Sequence, residues 1–376
     1  MSHGLVFESG IKLFEIPETE WKGRKAIFPV GGNSAMPFDV FDASFYLVSR
    51  YEEYMPHQRD KHGRFLASQS IAFKLDLLAD PIVNYWANDV LHVLESRWGT
   101  LKRNRREFKF IPTVDIDNAY AFKHKGFIRA IGGFISDLSS AHVKHAAFRV
   151  SVLLGFKKDP YDTYEYQLEL IRKHHHTPIY FFLLGDFAQY DRNVPHQNRF
   201  LQTLIKQLDD VGTCGIHPSY RSNETLERLK IEVGRLSAIL HREITLSRQH
   251  FLKFQLPLTY QNLLACDITD DYSMGYAEVP GFRAGMASPF MFYDLDLEAE
   301  TSLKIHPVGI MDGTLKDYMC LEPDAAEKII CDTIDKVKSV RGEFVSIWHN
   351  ESFAENQRWK GWRRVYETLL KTALNT

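Results

Sequence analysis

Beyond residue 107 the chain alternates short apolar runs with longer segments that carry apolar residues at helical spacing. The short runs are typical of buried strands and the longer segments of amphipathic helices. About seven such units follow one another, which predicts a parallel sheet or a β/α barrel. This number favours a closed or nearly closed barrel over a short open sheet. The predicted strands are 108–114, 178–184, 213–217, 243–248, 268–272, 305–311 and 343–349, and the predicted helices are 161–175, 196–210, 223–241, 257–265 and 323–340.

Residues 1–107 follow a different pattern. Short alternating runs within residues 1–30 predict strands, and apolar residues recur at helical spacing in residues 38–54 and 75–98. We therefore predict an α/β protein with two parts. A smaller N-terminal accessory α+β domain covers residues 1–107, and a distorted (β/α)7-type barrel covers residues 108–376. Residues 121–160 form a less regular insertion between the first strand of the barrel and its first clear helix.

Charge and hydropathy exclude some classes of partner. The chain has 46 Lys and Arg against 48 Asp and Glu, so a net charge of −2 does not predict binding to nucleic acid. No apolar run is long enough to span a bilayer, and no secretory leader opens the sequence. We therefore expect a cytoplasmic protein without a transmembrane segment. The four cysteines form no C-x-x-C pair, which argues against a structural zinc knuckle.

The first strand of the predicted barrel ends in two carboxylates, Asp115 and Asp117. Residues two apart in a strand share a face, so these side chains point the same way. Two carboxylates on one face repel each other, so a metal ion or a proton should lie between them. A role for the pair as a cap of the next segment is the structural alternative.

Further polar residues follow the later strands. His217, His250 and His349 each come at or just after a predicted strand end, and Arg248 lies two residues before His250. Functional groups of β/α barrels lie at the carboxyl ends of the strands, so these side chains should converge on one mouth. His217 could instead have a structural role. His250 could orient a metal ligand through a hydrogen bond instead of binding the metal itself.

Four segments, in this order, resemble the motifs of the polysaccharide deacetylases with a NodB homology domain (carbohydrate esterase family 4). The resemblance covers roughly residues 108–370. Two further segments, 271–276 and 281–285, resemble a divergent bacterial branch that has its own N-terminal domain. The four motifs are Thr113-Val114-Asp115-Ile116-Asp117, His217-Pro218-Ser219-Tyr220-Arg221, Ser247-Arg248-Gln249-His250 and Ser346-Ile347-Trp348-His349.

The resemblance implies a role for each matching residue. Asp115 corresponds to the general base and Arg248 to the residue that keeps this base ionised and oriented. His349 corresponds to the general acid, and Asp117 and His217 to metal ligands. The substrate contacts that we predict on this basis are Arg283, Tyr220 and Trp348.

The chain departs from the family pattern at two places. The acidic pair is Asp-Ile-Asp instead of Asp-Asp, and Arg221 stands where the family has its second histidine ligand. Arginine stays protonated and cannot bind a metal ion. Either the site has lost its metal or the third ligand comes from elsewhere, and His250 is the best substitute. An Asp-His-His set suits Zn²⁺, with Co²⁺, Ni²⁺ and Mn²⁺ as alternatives.

The resemblance therefore implies a metal-dependent hydrolase that removes N-acetyl or O-acetyl groups from a carbohydrate. The expected partner is an N-acetylated glycan or glycan precursor of the bacterial cell envelope. One alternative is a catalytically inactive barrel that binds a glycan, and the replacement at Arg221 favours it. Another is a glycoside hydrolase, whose two carboxylates stand about 5–10 Å apart. Asp115 and Asp117 are too close for that pair, and a purely structural protein leaves the convergence unexplained.

Overall fold

The computed structural model describes residues 6–8, 11–13, 16–102, 106–356 and 358–375. The chain divides into two compact units. The first unit contains residues 1–110, 252–321 and 328–346, and the second contains residues 111–251, 322–327 and 347–376. The division at residues 107/108 into an accessory domain and a barrel stays a prediction.

The strands and helices of the described residues have the following bounds. The strands are β1 (Val6–Glu8), β2 (Ile11–Leu13), β3 (Glu18–Trp21), β4 (Arg24–Ile27), β5 (Lys109–Ile116), β6 (Ile179–Leu183), β7 (Thr213–His217), β8 (Leu246–Ser247), β9 (Asp270–Asp271), β10 (Phe290–Asp294), β11 (Ala299–Ile305), β12 (Val308–Met311) and β13 (Glu343–His349). The α-helices are α1 (Val40–Val48), α2 (Tyr51–Tyr54), α3 (Ile71–Lys74), α4 (Ile82–Trp98), α5 (Phe127–Ser139), α6 (Val143–Leu153), α7 (Tyr164–His174), α8 (Arg199–Asp209), α9 (Leu226–Leu240), α10 (Leu258–Leu264), α11 (Pro323–Ser339) and α12 (Trp362–Leu374).

In the second unit, strands β5 to β8 pair in parallel and in chain order. The register places Asp115 opposite Phe181, Leu183 opposite His217, and Ile216 opposite Ser247. Strand β6 is buried along nearly its whole length, as expected for a parallel strand with both faces covered. Because the strands run the same way, their carboxyl ends lie at one edge of the sheet. The predicted alternation of strands and helices is confirmed here.

The predicted α/β class is confirmed, but the sheet is mixed and its strands are not the seven that were predicted. Among the described residues this sheet has nine strands, and β10 and β12 are its edge strands. The predicted strand 305–311 is in fact the end of β11 and the whole of β12, separated by His306 and Pro307. Proline cannot donate a hydrogen bond to a sheet, so it interrupts the run. β10 pairs antiparallel with β11, because the short connection between them cannot cross over.

The insertion at residues 121–160 also differs from the prediction. It contains two helices, α5 and α6, which pack against each other. On both helices many of the large apolar side chains face solvent.

The first unit contains a buried histidine between two carboxylates. His306 Nδ1 lies 2.5 Å from Glu343 Oε1, and His306 Nε2 lies 2.8 Å from Asp270 Oδ1. The ring stacks on Tyr272 at 4.2 Å. Burial opposes the imidazolium, but both carboxylates favour it and raise the pKa of His306 above its ordinary value. Both ring nitrogens therefore donate.

We expect His306→Gln to lower the free energy of unfolding by about 3 kcal/mol at pH 6, because two carboxylates lose their shared cation. The folded pKa lies above the unfolded one. The stabilisation is therefore fully present below the unfolded pKa and is lost as pH rises through the folded pKa. Urea unfolding of both proteins at pH 6 and pH 9 measures this difference. His92→Gln, at an exposed helical position, is the control. A difference that grows with pH contradicts the expectation.

Candidate metal centre

Three side chains from three strand ends of the second unit converge on one point. Asp117 follows β5, His217 ends β7, and His250 follows β8. One potential ligand atom from each lies within 4.8 Å of the other two. His217 Nε2 is 3.1 Å from Asp117 Oδ1, and His250 Nε2 is 3.3 Å from Asp117 Oδ2. These residues form a possible metal-binding set. His250 is a member of this set, and its role as a substitute ligand stays a prediction.

The remaining nitrogen of each histidine is already engaged. His217 Nδ1 donates to the backbone carbonyl of Arg248 at 2.6 Å, and His250 Nδ1 donates to Asp191 Oδ1 at 3.1 Å. Each Nε2 is therefore the ring nitrogen that is left for a ligand, and it points to the common centre. Such outer hydrogen bonds are characteristic of histidine ligands.

Two atoms at the centre support a fit to a cation. Within the part of the chain that the structure describes, His217 Nε2 and Asp117 Oδ1 are buried and lie 3.1 Å apart, but they lack the alignment of a hydrogen bond and have no other hydrogen-bond partner. Buried polar atoms normally have partners. Two imidazole nitrogens and a carboxylate, all aimed at one point, form the donor set of a divalent transition metal.

The charges at the centre are strongly coupled. Burial opposes ionisation of Asp117, but the imidazoles of His250, His217 and His349 hold its pKa well below the ordinary value. Burial likewise opposes the charged form of His250, whereas Asp117 and Asp191 raise its pKa to about 9. Below this pH a metal ion must displace a proton from His250, so its affinity should fall as the pH falls.

A buried ion pair lies beside the three ligand candidates. Arg248 Nη1 is 3.3 Å from Asp115 Oδ1, and both side chains are almost completely buried. The guanidinium also lies 4.8 Å from the ring of Phe181. Asp115 Oδ2 is 3.8 Å from His217 Nε2, so this carboxylate faces the same centre. Arg248 is thus placed to orient the Asp115 carboxylate through a charge-assisted hydrogen bond.

His349 ends β13 and lies on the more open side of the site. Its Nε2 is 3.8 Å from Asp117 Oδ2, and its side chain is 20% exposed. This exposure allows a ligand to reach the imidazole. Of the sequence-predicted residues, Asp115, Asp117, His217, Arg248, His250 and His349 come together here.

Tyr220 lies next to this cluster but is only half-buried. Its ring packs against Tyr190 at 4.5 Å and Phe251 at 5.6 Å, and Phe251 in turn lies 4.6 Å from the ring of His250. These aromatic side chains form a wall beside the centre. A substrate contact by Tyr220 stays a prediction. Arg221, at the position of the family's second histidine, is exposed.

Two predicted substrate contacts are corrected by their burial. Trp348 is 0% exposed and packs against Phe353, Trp362 and Tyr366, so it belongs to the core. Its position next to His349 in a strand sends it to the opposite face. Arg283, in the first unit, is also buried, and its guanidinium pairs with Glu53. Neither side chain is accessible to a sugar.

Sequence reasoning missed Asp191, which lies in the connection between β6 and α8. Its side chain is buried, accepts from His250, and also accepts from the backbone N–H of Tyr220 at 2.8 Å. No polar residue was predicted at the carboxyl end of β6, and Asp191 lies eight residues beyond Leu183, where this strand ends.

We expect Asp191→Asn to weaken metal binding by about 10–100-fold, the range for outer partners of histidine ligands. The variant keeps the size of the side chain but removes the charge that orients and polarises His250. Titration with Zn²⁺ in competition with a chelating indicator measures the affinity. Asp186→Asn is the matched control, because Asp186 lies in the same connection and is largely exposed. Equal affinities of Asp191→Asn and the parent protein would contradict the assignment.

A family of unknown function, DUF7033, matches residues 1–99. No curated protein sequence gives a significant match. A solved structure described as a putative polysaccharide deacetylase from Mycobacterium smegmatis is 11% identical over 72% of this chain and 86% of that chain, with a TM-score of 0.46. A mutant CE4-family pseudoenzyme with restored activity is 10% identical over 70% of this chain and 64% of that chain, with a TM-score of 0.32.

Neither likeness is close enough to assign an activity, so the chemistry rests on the geometry of the site. In the part of the chain that the structure describes, no helix combines the length and the apolar character that crossing a bilayer requires.

Proposed function

We propose that this protein is a metal-dependent hydrolase that removes acetyl groups from an N-acetylated or O-acetylated carbohydrate. One observation carries the proposal. Asp117, His217 and His250 present three donor atoms to one point, with both Nδ1 atoms already hydrogen-bonded. A carboxylate with a buried arginine lies on one side and a partly exposed histidine on the other.

Asp117, His217 and His250 would hold the metal ion. When bound, a divalent ion supplies Lewis acidity towards water and towards a carbonyl oxygen. Three protein ligands leave positions open for such oxygens, as in catalytic zinc sites. We propose Zn²⁺ as the ion, with Co²⁺, Ni²⁺ and Mn²⁺ as alternatives that the same donors accept.

Asp115 and His349 would transfer the protons of the reaction, as general base and general acid. Asp115 takes a proton from the attacking water, and Arg248 holds this carboxylate in place. His349 donates a proton to the nitrogen or oxygen that leaves as the acetyl group is lost. The oxygen of the water bonds to the carbonyl carbon of the acetyl group. The bond from this carbon to the sugar nitrogen or oxygen breaks, and acetate is released.

The partner that we propose is an N-acetylated glycan or a glycan precursor, such as one for the bacterial cell envelope. Tyr220 and the neighbouring aromatic side chains support this choice, because aromatic faces pack well against sugar rings. The separation of Asp115 from Asp117 argues against a glycoside hydrolase. Both carboxylates contact His217 Nε2, so no sugar ring fits between them.

The test combines metal analysis with product detection. The purified protein should bind about one equivalent of Zn²⁺ per chain, consistent with a single three-ligand site. The loaded protein should release acetate from N-acetylated oligosaccharides or O-acetylated sugars, and a chelator should stop the release. Metal binding without acetate release, together with new reducing ends, would favour a glycoside hydrolase. A metal-free protein that binds the sugars but releases no acetate would favour an inactive glycan-binding protein.

A further inference from the structure

The hairpin formed by α5 and α6 exposes an unusual amount of apolar surface. Residues 127–156 contain ten of the 24 large apolar side chains that are exposed among the described residues. On α5 they follow one helical face, at spacings of one, three and four residues. The exposed fractions reach 79% for Phe127, 86% for Ile128 and 79% for Phe156. Monomeric soluble proteins rarely expose a continuous apolar patch of this kind.

One ion pair of the hairpin lies on its inner side. Asp137 is the one buried residue of α5, and it pairs with Arg149 at 2.7 Å and His145 at 2.9 Å. The guanidinium of Arg149 lies against Gly133, where a Cβ atom would approach it to 2.5 Å. The ion pair is therefore packed inside the hairpin, and the apolar face of α5 is turned to solvent. A surface helix of a globular protein normally turns its apolar face to the core and its polar face to solvent.

The charge of the hairpin region also differs from that of the whole chain. Residues 121–160 contain seven Lys and Arg but only two Asp, a net charge of +5. The remaining residues therefore carry −7, since the whole chain carries −2. Basic residues beside an exposed apolar face attract an anionic lipid surface.

A groove between the helices extends this surface. Its volume is about 480 Å³, and its walls include Phe122, Phe134, Val150 and Leu153. Lys125 and Arg149 also line the groove. Burial, together with nearby arginines, lowers the pKa of Lys125 to about 8. An anionic group at this place would relieve the repulsion among these cations.

We propose that the α5–α6 hairpin is a membrane-interface element that binds an anionic phospholipid bilayer. Its apolar stripe enters the boundary between headgroups and acyl chains, and its basic side chains contact the lipid phosphates. This is attachment to one leaflet and not a membrane span. The proposal rests on exposure and charge alone, so it is independent of the proposed acetyl hydrolysis.

The test is co-sedimentation of the full-length protein with lipid vesicles. Vesicles contain either phosphatidylcholine alone or phosphatidylcholine with phosphatidylglycerol. The variant Phe127→Ser/Ile128→Ser/Phe156→Ser removes three highly exposed side chains of the hairpin. The control Phe41→Ser/Ile231→Ser/Leu297→Ser changes three apolar positions elsewhere, with exposed fractions of 74%, 55% and 66%. Thermal unfolding checks that all three proteins are folded.

We expect the parent protein to bind the anionic vesicles and to bind them less at high salt. The hairpin variant should lose at least about tenfold in partition coefficient, whereas the control should retain the parent value. Absence of binding to anionic vesicles, or equal losses in both variants, overturns the proposal. So does a dimer, observed without vesicles, that the hairpin variant dissociates, because a second copy would then cover the stripe.

Discussion

Replacing His217 by alanine is expected to abolish both metal binding and acetyl hydrolysis. The variant removes one of the three proposed ligand atoms. Loss of a residue that only hydrogen-bonds to a metal ligand lowers metal affinity by up to about 100-fold, so loss of a ligand itself should lower it further. The Lewis acidity of the ion contributes several kcal/mol to such reactions, so acetate release should fall by at least about 1000-fold. Metal content after dialysis and the rate of acetate release measure the two effects.

His92→Ala provides the matched control, because it makes the same substitution at an exposed helical position of the first unit. This variant should retain the metal and the activity of the parent protein. The buried site of His217 also requires a check of folding, which circular dichroism supplies. A folded His217→Ala protein that still holds one equivalent of metal would remove His217 from the ligand set.

Replacing His349 by alanine is expected to separate metal binding from turnover. His349 Nε2 lies 3.8 Å from Asp117 Oδ2 and is partly exposed, in the position of a group that reaches the leaving atom. Loss of a general acid typically lowers turnover by about 100–10,000-fold. The metal affinity should stay within about threefold of the parent value, because loss of a true histidine ligand would have a much larger effect.

Two comparisons make this result specific. Substrates with a good leaving group, such as an aryl acetate, need little protonation, so His349→Ala should affect them much less than an N-acetyl sugar. His217→Ala, in contrast, should lose activity on both substrates. A His349→Ala protein with equal losses on both substrates, or without metal, would show that His349 is not the acid.

The convergence of the site could be predicted from the sequence because parallel strands end at one edge. Asp117, His217 and His250 lie at or just beyond the ends of β5, β7 and β8, and the spacing of each apolar run located these ends. Asp191 could not be found in this way. It is in a long connection, and the chain must fold before its carboxylate contacts His250.

The exposed face of the helical hairpin and the strand order of the mixed sheet also could not be predicted from the sequence. The sequence of α5 contains an apolar stripe, but only the structure shows that this stripe faces solvent and that Asp137 faces inward. The pairing of β10 with β11, and the separate strand β12, likewise depend on connections between strands and on Pro307. The local sequence pattern specifies whether a segment forms a helix or a strand. Which other helices and strands it packs against depends on contacts between residues that are distant in the sequence.

The sequence by itself determined the alternation of strands and helices, the residue types at the strand ends and hence the class of donors available to a metal. The tertiary structure decided which atoms of these residues are available. The Arg248 carbonyl and Asp191 occupy the two Nδ1 atoms, leaving Nε2 of both histidines for a ligand. It also buried Trp348 and Arg283. Hydrogen-bond direction and burial depend on residues brought together by folding, and no spacing along the chain encodes them.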